Sequence, residues 1–171
     1  TTHSEISGVT DYKCETDEEC LKTIRDLVSK IGDSEKAGYN RVKPKLPLEN
    51  QEEIYQVFPR DRSKPYEVRD IIARLVDDSE FTEYKKDYGK TIVCGTARID
   101  GWAVGIVANQ RSLVKSKKDG MQFGGVIYSD SADKAARFIM NCNQKKIPLV
   151  FLKDVTGFMV GSKSEHGGII K

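Results

Sequence analysis

The sequence predicts a mixed α/β fold, and three neighbouring segments carry that prediction. Residues 91–110 hold two β-rich runs separated by a turn dipeptide, residues 129–148 have helical spacing of apolar residues, and residues 149–152 form a short apolar run. A helix and a linker precede them, a second helix follows the linker, and a glycine-rich segment ends the chain. Helices interleaved with strands in this way are typical of a sheet that is covered by helices.

Composition excludes several classes of protein. The chain has 171 residues, of which 38% are hydrophobic and 32% charged, as in ordinary soluble globular domains. Its 28 basic and 26 acidic residues are interleaved, with a net charge of +2, so we expect no nucleic-acid partner. No apolar run approaches the roughly 20 residues of a membrane span. We therefore expect a soluble chain without a membrane span, and we interpret it as a piece excised from a longer protein.

The cysteines and histidines indicate no metal site. The 4 cysteines form no C-x-x-C pair, and the 2 histidines, His3 and His166, stand far from them in sequence. We expect free thiols and no metal ion. Free thiols are typical of a reducing compartment, so we expect the cytoplasm or the mitochondrial matrix.

The first helix is predicted over 16–31 by its capping signals. Thr16 and Glu19 form a capping box, and Gly32 supplies the stop. Apolar residues recur at helical spacing between them: Leu21, Ile24, Leu27, Val28 and Ile31. The next stretch combines turn-prone glycine and proline with charges and lacks an apolar period, which predicts a linker between two lobes.

A second helix and a hairpin follow the linker. Pro65 is expected in the first turn of that helix, where proline is tolerated. Its apolar face comprises Val68, Ile71, Ile72 and Leu75. Asp100-Gly101 then supplies the positive φ angles of a two-residue hairpin turn between the β-rich runs.

A long loop, a third helix and a strand complete this half of the chain. The segment from Arg111 to Tyr128 mixes basic residues with glycines and is predicted as a long loop. The third helix has Lys145 and Lys146 near its C-terminus, where cations favour the dipole. Pro148 marks the exit into the strand LVFL.

The glycine-rich end predicts close approach of the backbone to a ligand. Gly157, Gly161, Gly167 and Gly168 follow the strand, and a helix that starts there would aim backbone N–H groups at an anion or oxyanion. The spacing matches neither a P-loop nor the dinucleotide-binding pattern, so a purely structural turn stays open. His166 lies beside Glu165 and close to two serines, but residues this near in sequence do not usually reach the geometry of a catalytic triad.

Several segments together resemble a known family. PYEVRDIIARLVDDSEFTEYKKDYGKTIVCGTARIDGWAVGIVANQ, IPLVFLKDVTGFMVG and GGIIK are similar to the carboxyltransferase (β) subunit of biotin-dependent acyl-CoA carboxylases, the propionyl-, methylcrotonyl- and acetyl-CoA carboxylase group. The resemblance implies a crotonase-like fold. It assigns 1–32 to the end of the N-terminal lobe, 33–62 to the inter-lobe linker and 63–171 to the first half of the C-terminal lobe.

The resemblance also implies a reaction and partners. In this family a carboxyl group moves from carboxybiotin, held on a carrier domain, to the α- or γ-carbon of an acyl-CoA through an enolate. No side-chain base is required, and the implied backbone contributors are Gly157, Phe158, Gly167 and Gly168. A biotin carboxylase and a biotin carboxyl carrier subunit are the implied partners, and the implied assembly is a hexamer of face-to-face dimers. The family's two oxyanion motifs fall before Thr1 and after Lys171, so we expect the fragment alone to be inactive.

Two sets of binding residues follow from the resemblance. The implied biotin contacts are Thr156, Gly157, Phe158, Met159, Val160 and Gly161. The implied acyl-CoA contacts are Gly105, Ile106, Val107, Ala108, Asn109, Lys115 and Lys117, with Lys118 as a further cation for the CoA phosphates. Plain core packing of the hairpin and a solvated loop around the lysines stay open as alternatives. Two other functions also stay open: a decarboxylase or transcarboxylase of the same family, of the glutaconyl-CoA or methylmalonyl-CoA type, and a non-catalytic CoA-binding module.

Overall fold

The computed structural model of the chain describes residues 12–31, 40–61, 63–117 and 120–169. Its helices are α1 (Asp17–Ile31), α2 (Ile54–Val57), α3 (Val68–Ala73), α4 (Ser129–Gln144) and α5 (Ser162–His166). Short 3-10 turns occupy Gln51–Glu53 and Asp77–Ser79. The strands are β1 (Phe81–Tyr84), β2 (Ile92–Ile99), β3 (Trp102–Asn109), β4 (Val114–Ser116), β5 (Gly120–Gln122), β6 (Val126–Ile127), β7 (Leu149–Leu152) and β8 (Gly157–Phe158).

The main sheet has the order β1-β2-β3-β7, which confirms the mixed α/β expectation. β1, β2 and β3 are antiparallel, whereas β7 lies parallel to β3 after the α4 crossover. The β2–β3 turn is the predicted one: Ile99 pairs with Trp102, and Asp100 and Gly101 have φ of 48° and 79°. Parallel pairing brings the carboxyl ends of β3 and β7 to the same edge of the sheet.

Both faces of the sheet are covered. On one face, Val68, Ile72 and Val76 pack against alternate residues of β2 and β3. On the other face, Ala135, Phe138 and Cys142 of α4 pack against the intervening residues, such as Cys94 and Val107. Because both faces are buried, β3 is a nearly continuous apolar run instead of an alternating one.

The first helix has the predicted N-terminal cap. The Glu19 amide donates to Thr16 Oγ1 at 3.2 Å, and Glu19 Oε2 accepts from the Glu15 amide at 2.9 Å. Its predicted stop, Gly32, and the residues 1–11 lie outside the described part of the chain. Leu21, Ile24 and Val28, on the apolar face, are half or more exposed.

Two local predictions are wrong, those for Pro65 and for residues 111–128. Pro65 does not lie in the first turn of α3, because Glu67 is the N-cap and accepts from the Arg69 amide. Residues 111–128 are not a plain loop: β4 and β5 form a small ribbon and β6 pairs with β8. Within the linker, the described residues include a 3-10 turn and the one-turn helix α2. Strands of two or three residues give no readable alternation, which explains why sequence periodicity missed them.

The cysteine thiols are free, as expected, and they differ in exposure. We expect Cys20, which is exposed, to react with a thiol reagent in the native protein, and Cys94 and Cys142 to react only after unfolding. Burial raises the pKa of the Cys94 thiol to about 11, and the reactive species is the thiolate.

The raised pKa of the Cys94 thiol makes the stability of the fold depend on pH. The Cys94 pKa in the folded chain lies above the ordinary value of 9.0, so the folded state holds its proton more tightly than the unfolded state does. The stability that this contributes is present below pH 9 and is lost between pH 9 and 11.

Time-resolved labelling with peptide mapping at pH 8 checks that Cys20 reacts before Cys94 and Cys142. Rapid native labelling of Cys94 would contradict the buried assignment.

Candidate functional site

The glycine-rich segment after β7, residues 153–161, forms a surface turn that we call the glycine turn. Its middle is β8, which lies parallel to β6. The Thr156 amide donates to the carbonyl oxygen of Gly125 at 2.7 Å, and the Met159 amide donates to that of Ile127 at 2.8 Å. The glycine turn is therefore held along one edge by backbone hydrogen bonds.

The glycine turn presents apolar side chains to its surroundings. Phe158 is 51% exposed, Met159 38% and Val160 78%. Exposed apolar residues in a group are typical of a surface that contacts a ligand or another polypeptide. The six residues predicted as biotin contacts thus lie together on an accessible surface, and their role as biotin contacts stays a prediction.

Neither packing nor backbone conformation in the described chain requires a glycine at position 157. A Cβ placed on it would meet no atom within 4 Å, and its φ is not positive. By contrast, a Cβ on Gly105 would lie 2.7 Å from Cys142 Sγ, and one on Gly124 would lie 2.2 Å from the Arg111 backbone. The space beside Gly157 is therefore free to receive a group that approaches the backbone closely.

Gly167 and Gly168 do not begin a helix as predicted. α5 begins after Gly161 and ends with Gly167 as its C-cap. Their amides donate to the carbonyl oxygens of Lys163 and Glu165, both at 3.1 Å. These N–H groups already have acceptors inside the chain in this conformation, and their role in stabilising an oxyanion stays a prediction. His166, at the end of α5, is exposed.

The predicted acyl-CoA contacts on β3 lie in the core. Ile106 and Ala108 are 1% exposed and Val107 is 8% exposed, and Gly105 packs against Cys142 and Leu149. β3 also has strands on both sides, so its backbone is engaged in the sheet. The alternative of plain core packing accounts for these four residues. Asn109 is also only 8% exposed, but it is polar and lies at the carboxyl end of the strand, so its ligand contact stays a prediction.

The predicted lysines lie on the β4–β5 ribbon. Lys115 is in β4, Lys117 follows it, and both are exposed. Lys118 lies outside the described residues. An exposed position suits either a phosphate contact or a solvated loop, so a CoA contact stays a prediction for these lysines.

Sequence reasoning missed a polar cluster at the shared carboxyl edge of β3 and β7. The Tyr66 hydroxyl donates to Asp154 Oδ2 at 2.8 Å, and Arg111 Nε lies 3.5 Å from the same oxygen. Asn109 Oδ1 accepts from the Asp154 amide at 3.2 Å. Burial and the Asp154 carboxylate raise the pKa of Tyr66, so the phenol stays protonated and remains a donor. The signal was available: Asn109 to Arg111 follow one buried strand and Asp154 follows the next, and parallel strands end at one edge.

Gln110 connects this cluster to α3. Its side chain is fully buried, and Oε1 accepts from the amides of Val68 at 3.3 Å and Arg111 at 2.9 Å. Its Nε2 donates to Glu67. Burial alone would raise the pKa of Glu67, but hydrogen bonds from Gln110 and Arg69 outweigh it and hold that pKa below its ordinary value. Glu67 is therefore ionised near neutral pH and fixes the Gln110 amide.

The described residues provide neither a cluster of metal ligands nor a membrane-spanning helix. No group of three His, Cys, Asp or Glu residues is placed to hold a metal ion among residues 12–31, 40–61, 63–117 and 120–169. In that same part of the chain, no helix has the length and apolar character needed to cross a membrane.

Known proteins share both the sequence and the fold of this chain. The chain is 44% identical, over 99% of its length, to the biotin-dependent 3-methylcrotonyl-coenzyme A carboxylase beta1 subunit of Mycobacterium tuberculosis. Among solved structures, the geranyl-CoA carboxylase beta subunit of P. aeruginosa matches with a TM-score of 0.64 at 35% identity, over 99% of this chain and 30% of that one. The transcarboxylase 12S hexamer with hydrolysed methylmalonyl-coenzyme A matches with a TM-score of 0.63 at 37% identity, over 99% of this chain and 32% of that one.

The chain spans only 29% of the length of the Mycobacterium relative. The solved structures are carboxyltransferase subunits, which confirms the expected fold. The family model described as the carboxyl transferase domain matches residues 1–171, the whole of the sequence. The chain therefore belongs to the carboxyl transferase domain family.

Proposed function

We propose that the protein is the carboxyltransferase component of a biotin-dependent acyl-CoA carboxylase. The observation that carries this proposal is the family match over residues 1–171, which leaves no part of the chain outside the domain. The Mycobacterium relative is named for the carboxylation of 3-methylcrotonyl-coenzyme A, so we propose that thioester as the first substrate to test. The product carries the new carboxyl group on the α- or γ-carbon of the acyl chain, which requires an enolate.

The glycine turn is the proposed biotin side of the site. The space beside Gly157 fits the close approach of a flat ring to backbone, and the exposed Phe158, Met159 and Val160 supply apolar contacts for it. Biotin, when bound there, supplies the carboxyl group that is transferred. The chain contributes a fixed backbone edge, because Thr156 and Met159 are hydrogen-bonded to the segment 125–127. Such an edge orients a bound group without motion of the turn during the reaction.

The acyl-CoA side is proposed around the ribbon and the end of β3. Lys115 and Lys117 offer mobile cations for the CoA phosphates, and Asn109 offers a polar group at the edge of the sheet. We assign no metal to the reaction. The proposed division into lobes remains 1–32, 33–62 and 63–171.

The proposed partners are a biotin carboxylase and a biotinylated carrier, and the proposed assembly is a homo-oligomer. The matched transcarboxylase 12S is described as a hexamer, which supports an oligomer for this protein. The free thiols support a reducing compartment, and we propose the cytoplasm or the mitochondrial matrix.

A second candidate function is transcarboxylation or decarboxylation by the same site. The observation that favours it is the match to transcarboxylase 12S, at nearly the same TM-score as the geranyl-CoA carboxylase subunit. The two functions share the biotin and thioester chemistry and differ in the direction of transfer.

Carboxylation assays with the whole protein that carries this chain test the proposal. The protein is mixed with a carboxybiotin donor and with acetyl-, propionyl-, 3-methylcrotonyl-, geranyl- or glutaconyl-CoA, and the thioester products are separated. In a second arm, uncarboxylated biotin is the acceptor and methylmalonyl- or glutaconyl-CoA is the carboxyl donor. We expect one thioester, or a small set, to gain a carboxyl group. Loss of carboxyl from methylmalonyl- or glutaconyl-CoA would favour the second candidate. CoA binding without any transfer would overturn both and leave a CoA-binding module.

A further inference from the structure

We propose that Arg111 is a positioning residue that sets the place of the glycine turn, and through it the place of the biotin ring. This inference rests on the proposed function. Arg111 lies two residues beyond the buried end of β3, and its side chain is only 18% exposed. It lies between the segment that supports the glycine turn and the carboxylate at the start of that turn.

The first argument is the fit between Arg111 and the two glycines that support the turn. A Cβ on Gly124 would lie 2.2 Å from the Arg111 carbonyl group, and a Cβ on Gly125 would lie 2.1 Å from Arg111 Nη1. Gly125 also has a φ of 75°, in the region that favours glycine. Backbone at 124–125 therefore lies against both the main chain and the guanidinium of Arg111.

The second argument is that two of the attachments of the glycine turn, at Thr156 and at Asp154, involve groups in contact with Arg111. The carbonyl oxygen of Gly125 accepts from the Thr156 amide at 2.7 Å. Asp154 Oδ2 lies 3.5 Å from Arg111 Nε and accepts from the Tyr66 hydroxyl. A displacement of the guanidinium would therefore move the support of Thr156 and the anchor of Asp154 together.

The third argument concerns the small contribution of the ion pair to stability. The Asp154 side chain is 42% exposed, and pairs with such exposure contribute little to folding. The guanidinium is planar and rigid, so it holds Asp154 and the backbone at Gly125 in one fixed arrangement. A weak ion pair combined with a fixed arrangement of its neighbours is typical of a residue that positions other groups.

Kinetics of an Arg111→Ala variant of the whole protein test the proposal. We expect kcat/KM for the biotin donor to fall roughly 10- to 100-fold, as expected for a misplacement of about 1 Å, mainly through KM. The KM for acyl-CoA should change much less than the KM for the biotin donor. A partly unfolded enzyme would instead lose kcat with both KM values unchanged. Arg111→Lys, which keeps the charge near Asp154, should recover part of the loss.

Arg41→Ala is the matched control. Arg41 also pairs with an aspartate, Asp100, at 2.7 Å, but at the opposite end of β3. We expect this variant to leave both KM values unchanged.

A double-mutant comparison identifies the contact itself. The Cβ of Gly125→Ala would collide with the Arg111 side chain, so its effect on donor KM should shrink in the Arg111→Ala background. Gly124→Ala collides with the Arg111 backbone, which alanine retains, so its effect should not shrink. Equal, additive effects of both glycine variants would overturn the proposal.

A readout that needs no catalysis separates this inference from the proposed function. Hydrogen exchange at the amides of Thr156 and Met159 should become faster in Arg111→Ala and not in Arg41→Ala, whether or not any thioester reacts. Unchanged exchange together with an unchanged donor KM would show that Arg111 does not position the turn. If the wild-type protein transfers no carboxyl group, the proposed function fails, and the exchange rates alone decide the structural part of the inference.

Discussion

Replacing Gly157 with valine is expected to abolish carboxyl transfer by the whole protein without unfolding the domain. Apart from the adjacent residues in the chain, no atom lies within 4 Å of the position of the missing Cβ, so a side chain can leave the backbone there without a collision at its first carbon. Gly157 lies in the short strand β8, a conformation that valine favours. The loss should therefore come from exclusion of the ligand, and we expect it to be roughly 100-fold or more in kcat/KM for the biotin donor.

A graded series sharpens this expectation. Gly157→Ala adds one methyl group and should cost less than Gly157→Val, because the ring then needs a smaller displacement. The control is Gly105→Ala, where the new Cβ would lie 2.7 Å from Cys142 Sγ in the core. Overpacking of that kind typically costs about 1–3 kcal/mol of folding free energy. The control should thus lower stability, whereas the Gly157 variants should not.

Steady-state kinetics and thermal unfolding of the three variants check the series. Full activity in Gly157→Val would show that nothing approaches the backbone at this point, and the glycine turn would then lose its assignment as the biotin side. A fall in thermal stability as large as that of Gly105→Ala would show that Gly157 has a structural role that the chain's own packing does not reveal.

The elements that sequence predicted well are those fixed by local chemistry. The Asp100-Gly101 turn needs positive φ at two residues, and few dipeptides supply it, so the hairpin and its register could be read directly. The cap at Thr16 and Glu19 fixed the start of α1 in the same way. Both signals depend on residues within a few positions of each other, and no tertiary contact overrides them.

The features that sequence missed depend on contacts between distant segments. β6 and β8 are strands only because residues 126–127 and 157–158 meet, and neither dipeptide has a period of its own. The nearly continuous apolar run of β3 is typical of a strand buried on both faces. The family resemblance instead implied ligand contacts for Ile106 and Val107, and the structure has both residues in the core. The positioning role proposed for Arg111 rests on its close approach to Gly124 and Gly125, which is visible only in the folded structure.

Removal of the Asp77 carboxylate is the second change with a large expected effect, in this case on stability. Its carboxylate is 8% exposed and joins three segments. Oδ1 accepts from the Asp100 amide at 2.9 Å, and Oδ2 accepts from the amides of Gly101 at 2.8 Å and Lys45 at 3.3 Å. One side chain thus holds the β2–β3 turn and the linker against the end of α3.

Asp77→Ala is expected to lower the free energy of opening of the β2–β3 hairpin by about 3 kcal/mol, because one buried and two part-buried amides lose their acceptor. Asp77→Asn keeps one acceptor oxygen and should cost less. Asp78→Asn is the matched control, since asparagine tolerates the φ of 52° at that residue and the carboxylate that it removes contacts only the exposed Lys45 side chain among the partners identified for it. Native-state hydrogen exchange of the β2 and β3 amides in the whole protein measures the three variants. If Asp77→Ala exchanges no faster than Asp78→Asn, water must replace the carboxylate at the turn, and the hairpin is then held by its strand pairing and core alone.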